Sequence, residues 1–147
     1  HYRKAEAEPY RIEALPPLKL LVISEIRCGD STAMVPVLVK YLEREDVEIR
    51  IALRSENPKL MERFLTNGAK AIPVFLILDD AGNLLSRFGP RPKPAQEIFE
   101  TYRRDIYEGR IERKEVSKKI RTFYAKDRGT SILREFSHIL RETLITT

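Results

Sequence analysis

The 147 residues suit one compact domain, and 42% of them are hydrophobic, which is enough to build a core and excludes a largely disordered chain. The single cysteine excludes an internal disulfide framework, and no apolar run approaches the roughly 20 residues of a membrane span. The net charge of +5 lies in the last third, because residues 1–90 carry 13 basic and 13 acidic side chains and residues 91–147 carry 14 and 9. Because there is one cysteine and no apolar run of membrane length, we expect a soluble, cytoplasmic protein.

The first half of the chain predicts a strand, a helix and a second strand. Leu18–Ile23 is a nearly continuous apolar run, which is typical of a strand buried on both faces of a sheet. Apolar side chains then recur at three and four residues from Met34 to Leu42, which predicts an amphipathic helix directly after Cys28. Val47–Leu53 alternates apolar with charged residues and is predicted to be the second strand.

The next segment predicts a short helix followed by a hairpin. Asn57–Thr66 is predicted to be the helix, with its first residue as the cap and Gly68 as its left-handed exit. Ile72–Leu78 is an apolar run of strand length, and an Asp- and Gly-containing turn leads to Leu84–Phe88 as its hairpin partner. The proline-rich segment 89–94 ends the sheet, because proline has no N–H to donate.

Beyond the sheet, three apolar stripes of helical period predict three helices. They are Ala95 to about Tyr107, Arg113 to about Tyr124, and Ser131 to about Thr143. We predict an α/β fold in which helices flank a central mixed sheet. Its predicted parts are a partly helical N-terminal segment 1–14, a core over residues 15–92, and a C-terminal helical extension over residues 93–147, packed on the same domain.

The one cysteine lies where the first strand gives way to the helix, in the segment Cys28-Gly29-Asp30-Ser31. Free backbone N–H groups and the positive end of the helix dipole favour a thiolate over a thiol at such a position. Arg27 acts in the same direction, whereas Asp30 opposes a second negative charge nearby. A lone cysteine is most often an inert buried residue, so a reactive and an inert thiol both stay open.

Three features together resemble the thioredoxin superfamily. The segment from Cys28 to Ser31 resembles its active-site segment, with serine in place of the second cysteine. Pro36 matches the proline that bends the active-site helix, and Ala71-Ile72-Pro73-Val74 resembles the cis-proline segment. The resemblance covers residues 15–92 and implies a thioredoxin-like fold, and the exit from the sheet and the later FYAKDRG stretch are similar to small bacterial thioredoxin-like proteins.

The resemblance also implies a role for each residue. Cys28 is the attacking thiol, Ile72 and Pro73 are the platform on which an extended substrate pairs, and Ser31 replaces the resolving cysteine. The Ser31 hydroxyl can donate a hydrogen bond to the sulfur but cannot form a second disulfide. The first step of exchange is therefore retained and the intramolecular second step is lost.

Two positions depart from the thioredoxin pattern. Arg27 stands where family members commonly have tryptophan, and Val22 stands where they often have a buried acid. Glu25 is the nearest carboxylate to that second position and is the residue expected to tune the thiol in its place. With both usual helpers absent, efficient dithiol reduction is not expected.

Two functions follow from these residues. In the first, Cys28 forms mixed disulfides with protein thiols or disulfides, and glutathione or another low-molecular-weight thiol resolves them without any further cofactor. In the second, the chain is a redox-inactive interaction module with a thioredoxin fold. A homodimer paired through the thiol also stays open, and no membrane partner is expected.

Metal and nucleic-acid binding are minor alternatives. Neither His1 nor His138 has a partner at metal-ligand spacing, so no metal site is predicted, and an iron–sulfur cluster on one thiolate would need outside ligands. Residues 110–128 carry eight basic and three acidic side chains, and phosphate binding through Lys118, Lys119, Arg121 and Lys126 would weaken steeply with salt. Phe123 belongs to an apolar stripe, so its ring is expected in the core, which disfavours a nucleic-acid interface.

Overall fold

The computed structural model describes residues 10–12, 15–43 and 47–146, over which four strands and five helices form. The strands are β1 (Leu18–Ser24), β2 (Val47–Leu53), β3 (Val74–Asp79) and β4 (Leu84–Phe88). The helices are α1 (Gly29–Leu42), α2 (Pro58–Arg63), α3 (Lys93–Tyr107), α4 (Arg113–Asp127) and α5 (Thr130–Thr146), and a 3-10 turn spans Arg54–Glu56. Most of the predicted N-terminal segment 1–14 lies outside the described residues.

The sheet is mixed and has the strand order β2-β1-β3-β4. β1 is parallel to β2, with Leu18 opposite Val47, and antiparallel to β3. The parallel pair requires a crossover, which α1 supplies, whereas a tight turn suffices for the antiparallel β3–β4 hairpin. The predicted α/β fold with a central mixed sheet is therefore confirmed.

One face of the sheet carries most of the core, formed with α1 and the C-terminal helices. Phe136 of α5 is 1% exposed, and its ring lies 6.1 Å from Tyr41 of α1 and 5.8 Å from Phe88 of β4, measured between centroids. Aromatic pairs at such distances and edge-on angles are favourable beyond their burial. The C-terminal helices thus pack directly on the sheet that carries the cysteine segment.

The opposite face is covered by the short helix α2. Met61 is fully buried there against Ile23 and Leu76, and Ile72 and Val74 complete this second cluster. Cys28 packs at its margin, so the thiol lies at the edge of an apolar cluster.

Several predicted boundaries were wrong by a few residues. α2 ends at Arg63 and not at Thr66, because Thr66 pairs with Ala69 in a tight turn around Gly68, whose φ is +80°. Asn57 lies at the N-cap as predicted, but its side-chain amide donates to Leu53 O and makes no cap bond.

Strand β3 and the C-terminal helices also differ slightly from the prediction. β3 begins at Val74 and not at Ile72, since the intervening proline has no N–H for the ladder. The three C-terminal helices each extend one to three residues beyond the predicted bounds at one or both ends. Helix ends fray, so their exact bounds are poorly defined by sequence patterns. None of the helices within the described ranges is both long and apolar enough to cross a bilayer.

Candidate functional site

Cys28 occupies the N-cap position of α1, directly after the β1–α1 loop. Its backbone is extended (φ −106°, ψ 121°), and its Sγ accepts a hydrogen bond from the backbone N–H of Ser31 at 3.5 Å. The thiol donates to Ile72 O at 3.7 Å. The two contacts suit different forms of the sulfur, because a carbonyl accepts only from the thiol whereas the N–H also stabilises the thiolate.

Ser31 is buried in the first turn of α1, and only 4% of it is exposed. Its hydroxyl could donate to the Cys28 sulfur but does not do so here, and the backbone N–H makes that contact instead. Among the described residues the hydroxyl has no hydrogen-bond partner. A buried polar group without a partner is uncommon in native proteins and costs free energy.

The Ile72-Pro73 segment faces the thiol from the sheet. The Ile72–Pro73 peptide bond is cis, and both side chains are buried. Gly89 packs directly on this segment, since a Cβ at that position would lie 2.2 Å from Pro73 O. From the sequence, Gly89 was expected at the end of the hairpin, but its close approach to Pro73 was not predicted.

Asp30 is held by two residues from distant parts of the chain. Its Oδ2 accepts a hydrogen bond from Arg91 Nε at 3.0 Å and its Oδ1 accepts one from the Tyr124 hydroxyl at 2.6 Å. The Asp30 side chain is only 11% exposed. Burial and then the charge of Asp30 raise the pKa of Tyr124, so this phenol remains a donor at physiological pH.

This network changes the electrostatics expected beside the sulfur. The sequence predicted that Asp30 would repel a thiolate, but the guanidinium of Arg91 offsets its charge at close range. Sequence reasoning missed Arg91 and Tyr124, which lie 61 and 94 residues from Asp30 along the chain. The ring of Tyr124 is buried in the core, and its hydroxyl reaches the site.

Glu25 and Arg27 lie in the β1–α1 loop. Glu25 Oε1 accepts from the backbone N–H of Ser55 at 2.6 Å, and hydrogen bonds from the side chain and then from the backbone of Ser55 lower the pKa of Glu25. The carboxylate thus links the loop to the 3-10 turn. No direct contact between Glu25 and the Cys28 sulfur supports the expected role of Glu25 in tuning the thiol. Arg27 is exposed to solvent. Val22, at the position where family members often have a buried acid, is fully buried.

Pro36 lies inside α1, where the helix continues through it to Leu42. It cannot donate the backbone hydrogen bond that residue 36 would otherwise make one turn back. Among the described residues, no three His, Cys, Asp or Glu side chains come together as a set that could hold a metal ion.

Cys28 opens onto a surface groove of about 870 Å³. Five segments form its walls: the β1–α1 loop, the first turn of α1, the 3-10 turn, residues 71–72 and residues 90–91. The charged side chains in its lining are Glu25, Arg27, Asp30, Arg54 and Arg91. Both acids are already hydrogen-bonded, so a molecule in this groove meets a surplus of positive charge next to the thiol.

Comparisons with known proteins identify the fold. A family model described as thioredoxin matches residues 4–103. A crystal structure of a protein of unknown function from Pseudomonas aeruginosa is similar, with 23% identity and a TM-score of 0.60 over 92% of this chain and 72% of that one. A crystal structure of an HIV epitope scaffold has 18% identity and a TM-score of 0.61 over 92% of this chain and 73% of that one. None of the curated proteins matches the chain.

Proposed function

The chain belongs to the thioredoxin family, and on this premise we propose that it exchanges disulfides through the single thiol of Cys28. The observation that carries the proposal is the position of the sulfur. It lies at the N-cap of α1, 3.5 Å from the N–H of Ser31, and faces an open groove. The free N–H groups and the helix dipole at such a position favour the thiolate, which is the attacking form.

The proposed exchange has two steps. The Cys28 thiolate attacks one sulfur of a substrate disulfide, a bond forms between that sulfur and Cys28 Sγ, and the other substrate sulfur leaves as a thiolate that takes a proton from water. A low-molecular-weight thiol, of which glutathione is one example, then attacks the substrate sulfur of the mixed disulfide. Cys28 leaves as a thiolate, and the substrate retains a disulfide to the small thiol. The resolving thiol comes from outside because the chain has one cysteine.

The buried hydroxyl of Ser31 supports a role for this segment beyond packing. No described residue is a partner for this hydroxyl, although it lies in the turn that caps the sulfur. A side chain kept only for packing at this position would be better served by alanine, which has no polar atom to bury. We propose that the hydroxyl finds its partner in the reacting state, when the sulfur is a thiolate or a mixed disulfide.

The rate of Cys28 alkylation tests the proposal directly. Iodoacetamide labelling at pH 7 is measured for the folded protein and for the same protein unfolded in urea, which serves as the matched reference for a free cysteine. A stabilised thiolate predicts faster labelling in the folded state. Labelling that is absent or slower in the folded state would overturn the proposal and leave the redox-inactive interaction module as the better explanation.

A variant with two cysteines tests whether the lack of a second thiol is what limits disulfide reduction. Ser31→Cys restores a second thiol within one helical turn of Cys28, and we expect it to gain activity in an insulin-reduction assay with dithiothreitol as the reductant. Wild type is the control and should lack this gain. A Ser31→Cys protein that folds but stays inactive would show that the second sulfur is not the main limitation.

A further inference from the structure

A second groove continues from the one in front of Cys28. The two share Ala71, Pro90 and Arg91, and the second groove, of about 530 Å³, runs on between the 66–69 turn and helix α3 towards the start of α4. We call it the arginine groove, defined by Arg91, Arg103 and Arg113 around the ring of Phe99. A molecule attached to Cys28 can therefore extend into it without leaving the surface.

Three guanidinium groups converge on one aromatic ring in this groove. Their central carbons lie 4.7, 5.4 and 5.8 Å from the centroid of Phe99, for Arg91, Arg103 and Arg113 respectively. Among the described residues that line the groove, none is acidic. Guanidinium groups stack well on aromatic rings, but three positive charges so close together also repel one another.

The internal acids of the fold offset only part of this charge. Arg91 is paired with Asp30 at 3.0 Å, and Arg103 is paired with Glu100 at 2.7 Å. Arg113 has no acidic partner within 4 Å among the described residues. It is exposed at the mouth of the groove, so an anion from another molecule can reach it.

The chemistry of the lining favours a carboxylate-bearing polypeptide as that anion. Arginine pairs with carboxylates through two parallel N–H···O bonds, and rigid arginines held on an aromatic ring lose little freedom when they do so. Ala71 lines the wall that both grooves share, and its backbone N–H and C=O make no hydrogen bond with other described residues. An extended chain can pair with them as it passes from the thiol to the arginines.

We infer that the arginine groove binds acidic residues that flank the reactive cysteine of a polypeptide substrate. This inference rests on the proposed function, since it names the class of polypeptide that exchanges disulfides with Cys28. The acidic side chains occupy the arginine groove, and the substrate sulfur lies in the groove of Cys28. Selectivity then comes from Arg103 and Arg113, whereas the exchange itself depends on the N-cap of α1.

The first test measures binding without thiol chemistry. A fluorescein-labelled octapeptide that contains four glutamates and no cysteine is titrated with the full chain at low salt and followed by fluorescence anisotropy, beside a matched peptide with four glutamines. We expect the glutamate peptide to bind at least about tenfold more tightly, a difference of about 1.4 kcal/mol. Equal binding of the two peptides would overturn the inference.

Substitutions locate the binding. Arg103→Gln together with Arg113→Gln changes exposed side chains, so the fold should persist, and we expect this double variant to lose the preference for glutamate. Arg121→Gln is the matched control, because Arg121 is exposed on α4 and lines a different surface. A loss as large in the control would overturn the inference.

A kinetic comparison separates this inference from the proposed function. Two peptides with one cysteine each, activated as thionitrobenzoate disulfides and flanked by glutamate or by glutamine, are reacted with the wild type and with the double variant. Faster reaction of the glutamate peptide with wild type alone supports the inference. Equal and fast reaction of both peptides would agree with the thiol function and overturn the inference about the arginine groove. No reaction with either peptide would contradict the thiol function, whereas binding to the arginine groove would still be judged by the anisotropy measurement.

Discussion

Gly89 is the residue at which the fold near the thiol leaves no room for a side chain. Its φ is +107°, and a Cβ there would lie 2.2 Å from Pro73 O and 3.3 Å from the carbonyl carbon of Pro73. Because the atoms in contact belong to the backbone, a Gly89→Ala side chain cannot be accommodated by a rotamer change. The substitution must displace the segment whose Ile72 carbonyl accepts the hydrogen bond of Cys28.

Two contributions lower the free energy of unfolding in Gly89→Ala. A positive φ costs alanine about 1–2 kcal/mol, because Cβ crowds the neighbouring carbonyl. Moving a backbone carbonyl to make room for the methyl group adds about 1–3 kcal/mol, the usual cost of overpacking. The free energy of unfolding should thus fall by about 2–5 kcal/mol, which in a chain of this length lowers Tm by about 6–15 °C.

Gly82→Ala is the matched control for this experiment. Its φ is +90°, but no atom lies within 4 Å of a Cβ at that position, so only the first contribution of about 1–2 kcal/mol applies. Thermal and urea unfolding followed by circular dichroism measure both variants, and iodoacetamide labelling at a temperature where each is folded measures the thiol. We expect a changed labelling rate in Gly89→Ala alone. Equal losses of stability in the two variants would show that the close approach of Gly89 to Pro73 O does not limit the side chain at position 89.

Two further substitutions test the polar contacts between elements. Tyr124→Phe removes the hydroxyl that donates to Asp30, and since a hydrogen bond to a charged group contributes about 1.5–3 kcal/mol, the free energy of unfolding in urea should fall by that amount. Tyr102→Phe, whose hydroxyl makes no hydrogen bond with described residues, should change little, and equal losses would contradict the network. Glu135 accepts from the backbone N–H of Lys93 at 2.9 Å, yet burial raises its pKa above the ordinary value. Folding thus favours its protonated form, so the stabilising effect is present at low pH and is lost as the pH rises from about 4.3 through the raised value. Wild type should lose stability relative to Glu135→Gln over that range in pH-dependent urea unfolding, and a constant difference would contradict this.

The strands and helices could be predicted because their signals are local. The bounds of β2 and β4 match the predicted ones, and β1 extends one residue further. An alternating or continuous apolar pattern reflects burial on one or both faces of a sheet, and the residues that carry it are adjacent in sequence. The end of α2 was missed because the Thr66–Ala69 pairing competes with helical continuation over the same residues.

The site could be predicted only as far as the motif extends. The resemblance brought Cys28, Ser31 and the Ile72-Pro73 segment together, and the structure places the sulfur 3.7 Å from Ile72 O. The motif allows a hydrogen bond from the Ser31 hydroxyl to the sulfur, but in the structure the helix turn directs the backbone N–H of Ser31 to the sulfur instead. Side-chain direction within a turn depends on the packing around it, which the motif alone does not contain.

Local periodicity and backbone preference are enough to predict the succession of strands and helices along the chain and a thiol where a strand leads into a helix. The surroundings of that thiol depend on how distant segments pack. Arg91 and Tyr124 offset and hold Asp30, and Arg103 and Arg113 gather with Arg91 around Phe99 in a groove that continues from Cys28. Asp30, Arg91 and Tyr124 are far apart along the chain, and contacts of that kind leave no local pattern because they form only when the C-terminal helices pack on the sheet.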